Sequence, residues 1–522
     1  MRRHTRYIGP VGFAAADEAP LATSSGSEVF EIADLGRLAR RALRGIVRTA
    51  RAGSGETLQS RIKGHLDEAD SELAVVRDSW PVYDQVNVQL ALDDWLIERE
   101  HELVGVANYQ HQEFGLAELI GGPEQPYSPM LGSISRVNAA SGPDGAVTAC
   151  VACGVYLIND GEVRAVVLLR SAGPHMGWPV VLIEIASSEA GYSSRAVREI
   201  RERALARNVY RGQVLCFGGE VFGPEAPLVQ FRHRPTLSRA ALILSETSLA
   251  AIEHHVIDVT ARRERLLANG QHLKRGLLLF GPPGVGKTHT IRYLESRLVD
   301  TTVIELSGNA LQMVGPACSI ARALQPAMVV IEDVDLIAED RSLFPGGNPM
   351  LFQLLNEMDG LAEDADVLFV LTTNRADLLE PALAARPGRV DLAVQIPVPD
   401  AEGRHALLAL YRGGLSLPSD GLDGIIHRTE GVTASFIKEL LRRAAVTAAR
   451  RDADDAAALH VTRDDLTDAL DQLLDTANAM TRVALGGGTA HHTDETASDG
   501  LTVPPPAAAP TTARPDIGIS SQ

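Results

Sequence analysis

Gly276-Leu277-Leu278-Leu279-Phe280-Gly281-Pro282-Pro283-Gly284-Val285-Gly286-Lys287-Thr288 is the stretch that decides the fold. Its first five residues form a short apolar run bounded by glycine, the pattern of a buried strand. The next eight form a complete phosphate loop between a strand and a helix. Glycines let the chain curl so that successive N–H groups point at one anion, and the following helix adds its positive end. Lys287 brings a charge to the β- and γ-phosphates and the Thr288 hydroxyl suits Mg²⁺. The candidate nucleotide-binding residues are therefore Gly281, Pro282, Pro283, Gly284, Val285, Gly286, Lys287, Thr288 and His289. A chance glycine-rich loop is the competing reading. It does not account for the strand, the lysine and the threonine together.

Downstream, the apolar run Met328-Val329-Val330-Ile331 ends in Glu332-Asp333-Val334-Asp335. Carboxylates at the carboxyl end of a buried strand beside a phosphate loop serve the metal and the attacking water. A third run, Val367 to Leu371, ends in Thr372-Thr373-Asn374-Arg375, where Asn374 can orient that water. Next comes Ala385-Arg386-Pro387-Gly388-Arg389-Val390-Asp391. Two arginines on a Pro-Gly turn suit insertion into a phosphate site. Strand-then-helix repetition predicts an α/β fold with a parallel sheet covered on both faces.

In this order and spacing the motifs resemble the AAA ATPases that carry a second region of homology. The likeness runs over nearly half the chain, through LLNEMDG, LTTNRADLLEPALAARPGRVD and PVPD. The resemblance implies a P-loop NTPase domain over 239–401 and a small helical lid over 402–482, with Glu430 to Ser435 near the adenine. It also implies ATP and Mg²⁺ as cofactors, and a homo-oligomeric ring, usually a hexamer. Arg386 and Arg389 match the family's arginine fingers and Asn374 its sensor asparagine.

The sequence departs from the family in three places. The acidic pair reads Glu332-Asp333, where most members have Asp then Glu. By position, Glu332 is expected at the metal and Asp333 at the water. A similar order occurs in the mitochondrial AAA protein that assembles an iron–sulfur subunit, so the swap does not imply inactivity. Met313-Val314-Gly315 stands where a pore loop usually carries an aromatic before a hydrophobic-Gly pair. The membrane spans and zinc-protease motif of the membrane-bound AAA proteases do not occur in the sequence, nor does the hydrophobic-Tyr-X ending of proteasomal ATPases.

Outside the motifs, residues 1–28 and 483–522 are rich in small, polar or Gly/Pro residues and are expected to be disordered. Residues 29–68 are an amphipathic helical segment, in which Ile32, Leu35, Leu38, Leu43 and Ile46 form one stripe opposite arginines. A packed helix with a solvated arginine face outweighs an anionic-partner helix there. Residues 69–238 read as an α+β domain that could choose a client. It contains a helix over Val86–Val106, a hairpin turning at Asn159-Asp160-Gly161, a strand over Trp178–Ile185, a helix capped by Ser194, and short strands near 214–217 and 228–231. Cys150 and Cys153 have a metal-like spacing but no second pair, and read as buried structural residues.

The 522-residue chain allows about three domains. Its four cysteines make no disulfide framework, so reducing cytoplasm is the expected compartment. No apolar run approaches the roughly eighteen residues of a membrane span. A net charge of −18 argues against a nucleic-acid partner. The expected function is a ring-forming ATPase that remodels an unknown protein client. The alternatives are a nucleotide-dependent scaffold and, second, a nucleic-acid motor working through the Arg37–Arg51 region.

Overall fold

The computed structural model describes residues 57–66, 73–107, 114–122, 129–171, 180–217, 229–335, 349–375, 389–451 and 459–475. The expected disordered start, the 32–50 helix, the tail and Arg386 lie outside them.

Apolar runs buried on both faces mark the first sheet. Ala165 to Leu169 are all buried, and a strand that reads apolar throughout needs cover on both sides. The elements are α1 (Leu58–His65), β1 (Val76–Pro81), α2 (Gln85–Leu96), β2 (Glu100–Ala107), α3 (Leu116–Gly121), β3 (Met130–Gly132), β4 (Ser135–Ala140), β5 (Val147–Asp160), β6 (Val163–Ser171), β7 (Val180–Ser187) and α4 (Tyr192–Ala206). The strand order is β1-β7-β6-β5-β2-β3, with β4 on β5. All its pairings are antiparallel. Leu92, Trp95, Ala196 and Ile200 of α2 and α4 pack on one face, against Val167 and Ile183. Leu58, Ile62 and Leu116 of α1 and α3 pack on the other, against Val166 and Leu168.

Three local expectations change here. The helix read over Val86–Val106 ends at Leu96, and Glu100–Ala107 pairs with β5 instead. Arg99 holds the corner: its guanidinium lies 4.1 Å over the Trp95 ring and donates to Asp160 at 2.9 Å. Ser194 does not cap α4. The helix starts at Tyr192 after Gly191, whose φ of +80° is the left-handed conformation glycine tolerates. Finally, β8 (Val214–Phe217) and β9 (Val229–Arg232), read with the upstream domain, pair with the nucleotide sheet. Val303 N–H donates to Gln213 O at 2.8 Å to begin that parallel pairing. The division read at residue 238 therefore cuts through one sheet. Four-residue strands carry no signal for which sheet they join.

Besides short helical turns, the remaining elements include α5 (Glu246–Glu253), β10 (Arg275–Phe280), α6 (Lys287–Arg297), β11 (Thr302–Leu306), α7 (Val314–Ala323), β12 (Ala327–Ile331), α8 (Pro349–Asp359), β13 (Val367–Thr373), β14 (Leu392–Gln395), α9 (Ala401–Tyr411), α10 (Leu422–Arg428), α11 (Ala434–Arg451) and α12 (Arg463–Leu474). The second sheet runs β14-β10-β13-β12-β11-β8-β9. It is parallel except for β9. Ile291 and Leu294 of α6 cover Leu277, Val303 and Val330 on one face. Ala317 of α7 and Leu354 of α8 cover Ile304, Val329 and Phe369 on the other. That second core also takes in Val86 and Cys150 of the upstream unit, and Tyr83 meets Phe217 edge-on at 6.1 Å.

After β14, Asp400 caps α9 by accepting from Gly403 N–H at 2.8 Å. The four helices α9 to α12 bury Leu407, Phe436, Leu440, Leu466 and Leu470 among themselves as a small bundle.

Candidate active site

Parallel strands bring their carboxyl ends to one edge of the sheet, and the sequence-predicted polar residues sit at those ends. Gly276 secures the base of the site. A Cβ there would stand 1.6 Å from the Arg389 carbonyl oxygen, so only glycine lets the 389–391 segment pass this close to β10. Asp391 locks the crossing by accepting from Gly276 N–H at 3.0 Å. At the head of α6, Gly286 has a φ of +117° with open space where a side chain would project. This arrangement leaves room for an anion against the helix N-terminus.

A polar chain leaves the loop. In it, the Lys287 ammonium donates to Gly281 O (2.8 Å), Pro282 O (3.1 Å) and Asn374 Oδ1 (2.7 Å). Asn374 Nδ2 in turn donates to Asp333 Oδ1 at 3.3 Å. Burial pulls the Lys287 ammonium below its usual range, opposed by the charges of Asp333, Asp335 and Glu332. On the other side stands Glu332: burial and the negative charges of Glu305 and Asp333 raise its carboxyl above the ordinary value, and the nearby Thr288 hydroxyl acts against them. The swapped acidic pair thus divides: Glu332 stands with the metal-type hydroxyl, and Asp333 with the asparagine.

Two hydroxyls that the sequence did not single out hold this arrangement. Asp333 has a φ of +52°, in the left-handed region that non-glycine residues seldom adopt. Its N–H donates to Thr372 Oγ1 at 3.0 Å. Thr373 Oγ1 donates to Asp335 Oδ1 at 3.0 Å. Their only signal in the sequence is a polar pair closing an apolar strand.

The lid reaches the loop. Ser435 N–H donates to Gly284 O at 3.0 Å, and a Cβ on Gly284 would crowd Ser435 and Thr433. His289 lies on the other side, its ring Nε2 3.1 Å from Ala241 O, so its side chain joins α6 to the segment before α5. Arg389 is buried, and its guanidinium donates to both carboxylate oxygens of Asp359 in its own chain, at 2.9 and 2.7 Å. Met313 and Val314 are likewise buried, 3% and 2% exposed, in the core beneath α7. A pore-lining residue must meet solvent; these two apolar side chains contribute more by packing. Cys150 and Cys153 fall into two different cores, and burial pushes their thiols up to about 11 and about 12.

A nucleotide fits these residues. Magnesium commonly takes one or two carboxylates, with phosphate and water as its other ligands. Glu332 with Thr288 supplies that set, without any cluster of three acidic, His or Cys side chains among the described residues.

Residues 277–398 match the family model of the ATPase family associated with various cellular activities (AAA). The chain carries an AAA ATPase domain. Similar proteins include an ATP-dependent zinc metalloprotease FtsH of Synechococcus sp. (strain JA-2-3B'a(2-13)), 34% identical over 234 residues, covering 42% of this chain and 36% of the relative. FtsH of Thermus thermophilus is 30% identical over 312 residues, covering 57% and 46%. The chloroplastic FTSH 2 of Arabidopsis thaliana is 32% identical over 234 residues, covering 42% and 33%. The chain thus spans less than half the length of these relatives. Among the described residues no helix is long and apolar enough to cross a membrane.

One buried acid of the AAA domain has no counterpart in the sequence reading. Glu295 of α6 is wholly buried, and burial together with the neighbouring Glu305 pushes its carboxyl from 4.5 up to about 9. A raised acid stabilises the fold fully below its unfolded value, and that contribution drains away as pH rises through the folded value. Melting temperature is therefore expected to fall between pH 5 and 9, and Glu295→Gln to flatten that decline while matching the parent near pH 5. Parallel parent and variant curves would show that Glu295 folds already ionised.

Proposed function

We propose that this protein hydrolyses ATP and uses the cycle, as a ring of its own copies, to remodel a protein client. The observation that carries the ATPase reading is the hydrogen-bonded chain Lys287–Asn374–Asp333 leaving the phosphate loop, with Glu332 near the Thr288 hydroxyl on the other side. Lys287 and the loop amides would hold the phosphates, and Thr288 and Glu332 would hold Mg²⁺. The metal would draw charge from the terminal phosphate. Asp333, positioned by Asn374, would take the proton of the attacking water.

The remodelling part of the reading is supported by the FtsH relatives, whose names make them ATP-dependent proteases. No zinc chemistry is proposed for this chain. Burial of Met313 and Val314 favours keeping a second reading, a scaffold in which ATP assembles or releases a complex. Turnover separates the two, because a remodeller needs hydrolysis stimulated by its client and a scaffold needs little.

A ring places a neighbour's cation at the γ-phosphate. With Arg389 tied to Asp359, that role falls to Arg386. Such arginines are worth about 10³-fold or more in rate. Arg386→Ala and Lys287→Ala proteins should each be nearly inactive alone and regain measurable turnover when mixed, since one keeps the pocket and the other the finger. Proven subunit mixing without regained turnover would remove the trans finger from the mechanism.

A further inference from the structure

Beside the metal carboxylate lies a second acidic group that the ATPase reading does not use. Glu305 of β11 registers with Val330 of β12, and Glu332 follows two residues after Val330. Side chains alternate along a strand, so Glu305 and Glu332 stand on the same face, the one covered by α6. Strand spacing and rise put their backbone positions roughly 8 Å apart. The Glu332 N–H also donates to the carbonyl of Leu306, the residue after Glu305, at 3.0 Å.

Glu305 has neighbours on two sides. Arg232 of β9 forms an ion pair with it, which fixes where its charge sits. From above comes Glu295 of α6, wholly buried, with no hydrogen-bond partner on either carboxyl oxygen. The remaining groups that act on Glu332 are Asp333, Thr288 and Arg292. A carboxylate on the neighbouring strand, on the same face as Glu332, favours a divalent cation there by Coulomb attraction.

We propose that Glu305 is a positioning residue for magnesium, and that Arg232 sets its strength. The Glu305 carboxylate adds negative field at Glu332 and tightens its hold on Mg²⁺, and the Arg232 guanidinium offsets part of that field. Because Arg232 belongs to β9, the last strand of the hairpin that extends the nucleotide sheet toward the upstream unit, a shift of that strand would change the metal affinity of the site. The inference rests on the reading of Glu332 as the magnesium carboxylate.

The test uses the full chain, a fluorescent ATP analogue and a Mg²⁺ titration at fixed nucleotide. Glu305→Gln is expected to raise the half-saturating Mg²⁺ concentration about three- to tenfold, the effect of a unit charge at this range under a dielectric between protein and water. Arg232→Gln is expected to lower it by a similar factor, and Arg232→Lys to stay near the parent. Binding of the analogue in EDTA should not weaken in Glu305→Gln, because removing a carboxylate does not repel phosphate. A packing role would move Glu305→Gln and Arg232→Gln in the same direction. That outcome, or both variants within twofold of the parent, overturns the proposal while leaving the nucleotide site standing. A parent that binds the analogue neither with nor without Mg²⁺ overturns the nucleotide reading and this one with it.

Discussion

Lys287→Ala is expected to abolish detectable ATP binding at micromolar nucleotide, and all hydrolysis with it. The ammonium makes three hydrogen bonds, two to its own loop and one to Asn374, and it stands amid the charges of Asp333, Asp335 and Glu332. Its partners against phosphate would be charged oxygens, worth about 1.5–3 kcal/mol per hydrogen bond. Two such bonds correspond to roughly 10²–10⁴ in affinity. The loss goes further than the missing bonds, because without the lysine three carboxylates face a polyanion with only the metal between them. Lys287→Arg is expected to rescue little: its planar fork does not fit a position where a point charge is held by two loop carbonyls. Binding is read by fluorescence of a labelled ATP, with circular dichroism to show that the fold is intact. A folded Lys287→Ala protein that binds ATP with the parent's affinity would mean that the phosphates lie elsewhere.

The second large effect concerns the swapped acids. Asp333→Asn is expected to keep nucleotide affinity within a few-fold and to lower turnover by about 10²–10⁴, the range of a lost general base. The amide has the size of the carboxylate and can still meet Asn374, so the site keeps its shape while losing the proton acceptor. Glu332→Gln is expected to do the reverse: Mg²⁺-dependent binding weakens, and turnover recovers in part at high Mg²⁺. The reason is geometric. Glu332 lies near the Thr288 hydroxyl, on the metal side of this reading, whereas Asp333 is the member within 3.3 Å of the asparagine. Aspartate is one methylene shorter than the usual base. The left-handed backbone at Asp333, fixed by Thr372, turns the shorter side chain toward Asn374. Nucleotide affinity and turnover measured for both variants decide the matter. If Glu332→Gln is the tight-binding, hydrolysis-dead protein and Asp333→Asn turns over normally, the two roles are exchanged.

The phosphate loop, the acidic pair and Asn374 were legible because each is a local pattern with a chemical reason for its spacing. A glycine at a turn, a lysine at a helix start and a carboxylate at a strand end keep their meaning wherever the chain runs. Arg389 shows the limit. Its position after a Pro-Gly turn reads as an exposed cation, but Asp359, thirty residues earlier at the end of α8, captures it. Met313 and Val314 read as a surface loop by alignment of motifs, yet they enter the core beneath α7. The helix expected to reach Val106 stopped at Leu96 because pairing with β5 outweighed an apolar pattern that suits both helix and strand.

Sequence alone determined the nucleotide chemistry of this protein: the loop, its lysine and threonine, the order of the acids, and an α/β sheet to present them. These follow from short-range spacing, which backbone geometry converts directly into placement. Tertiary structure alone decided which residues act on one another across the sheet. It attached β8 and β9 to the nucleotide sheet, tied Arg389 to Asp359, and set Glu295 and Arg232 about Glu305 on the strand beside Glu332. A carboxylate's field and a guanidinium's partner depend on distances of a few ångströms between segments tens of residues apart, and no periodicity in the chain encodes those distances.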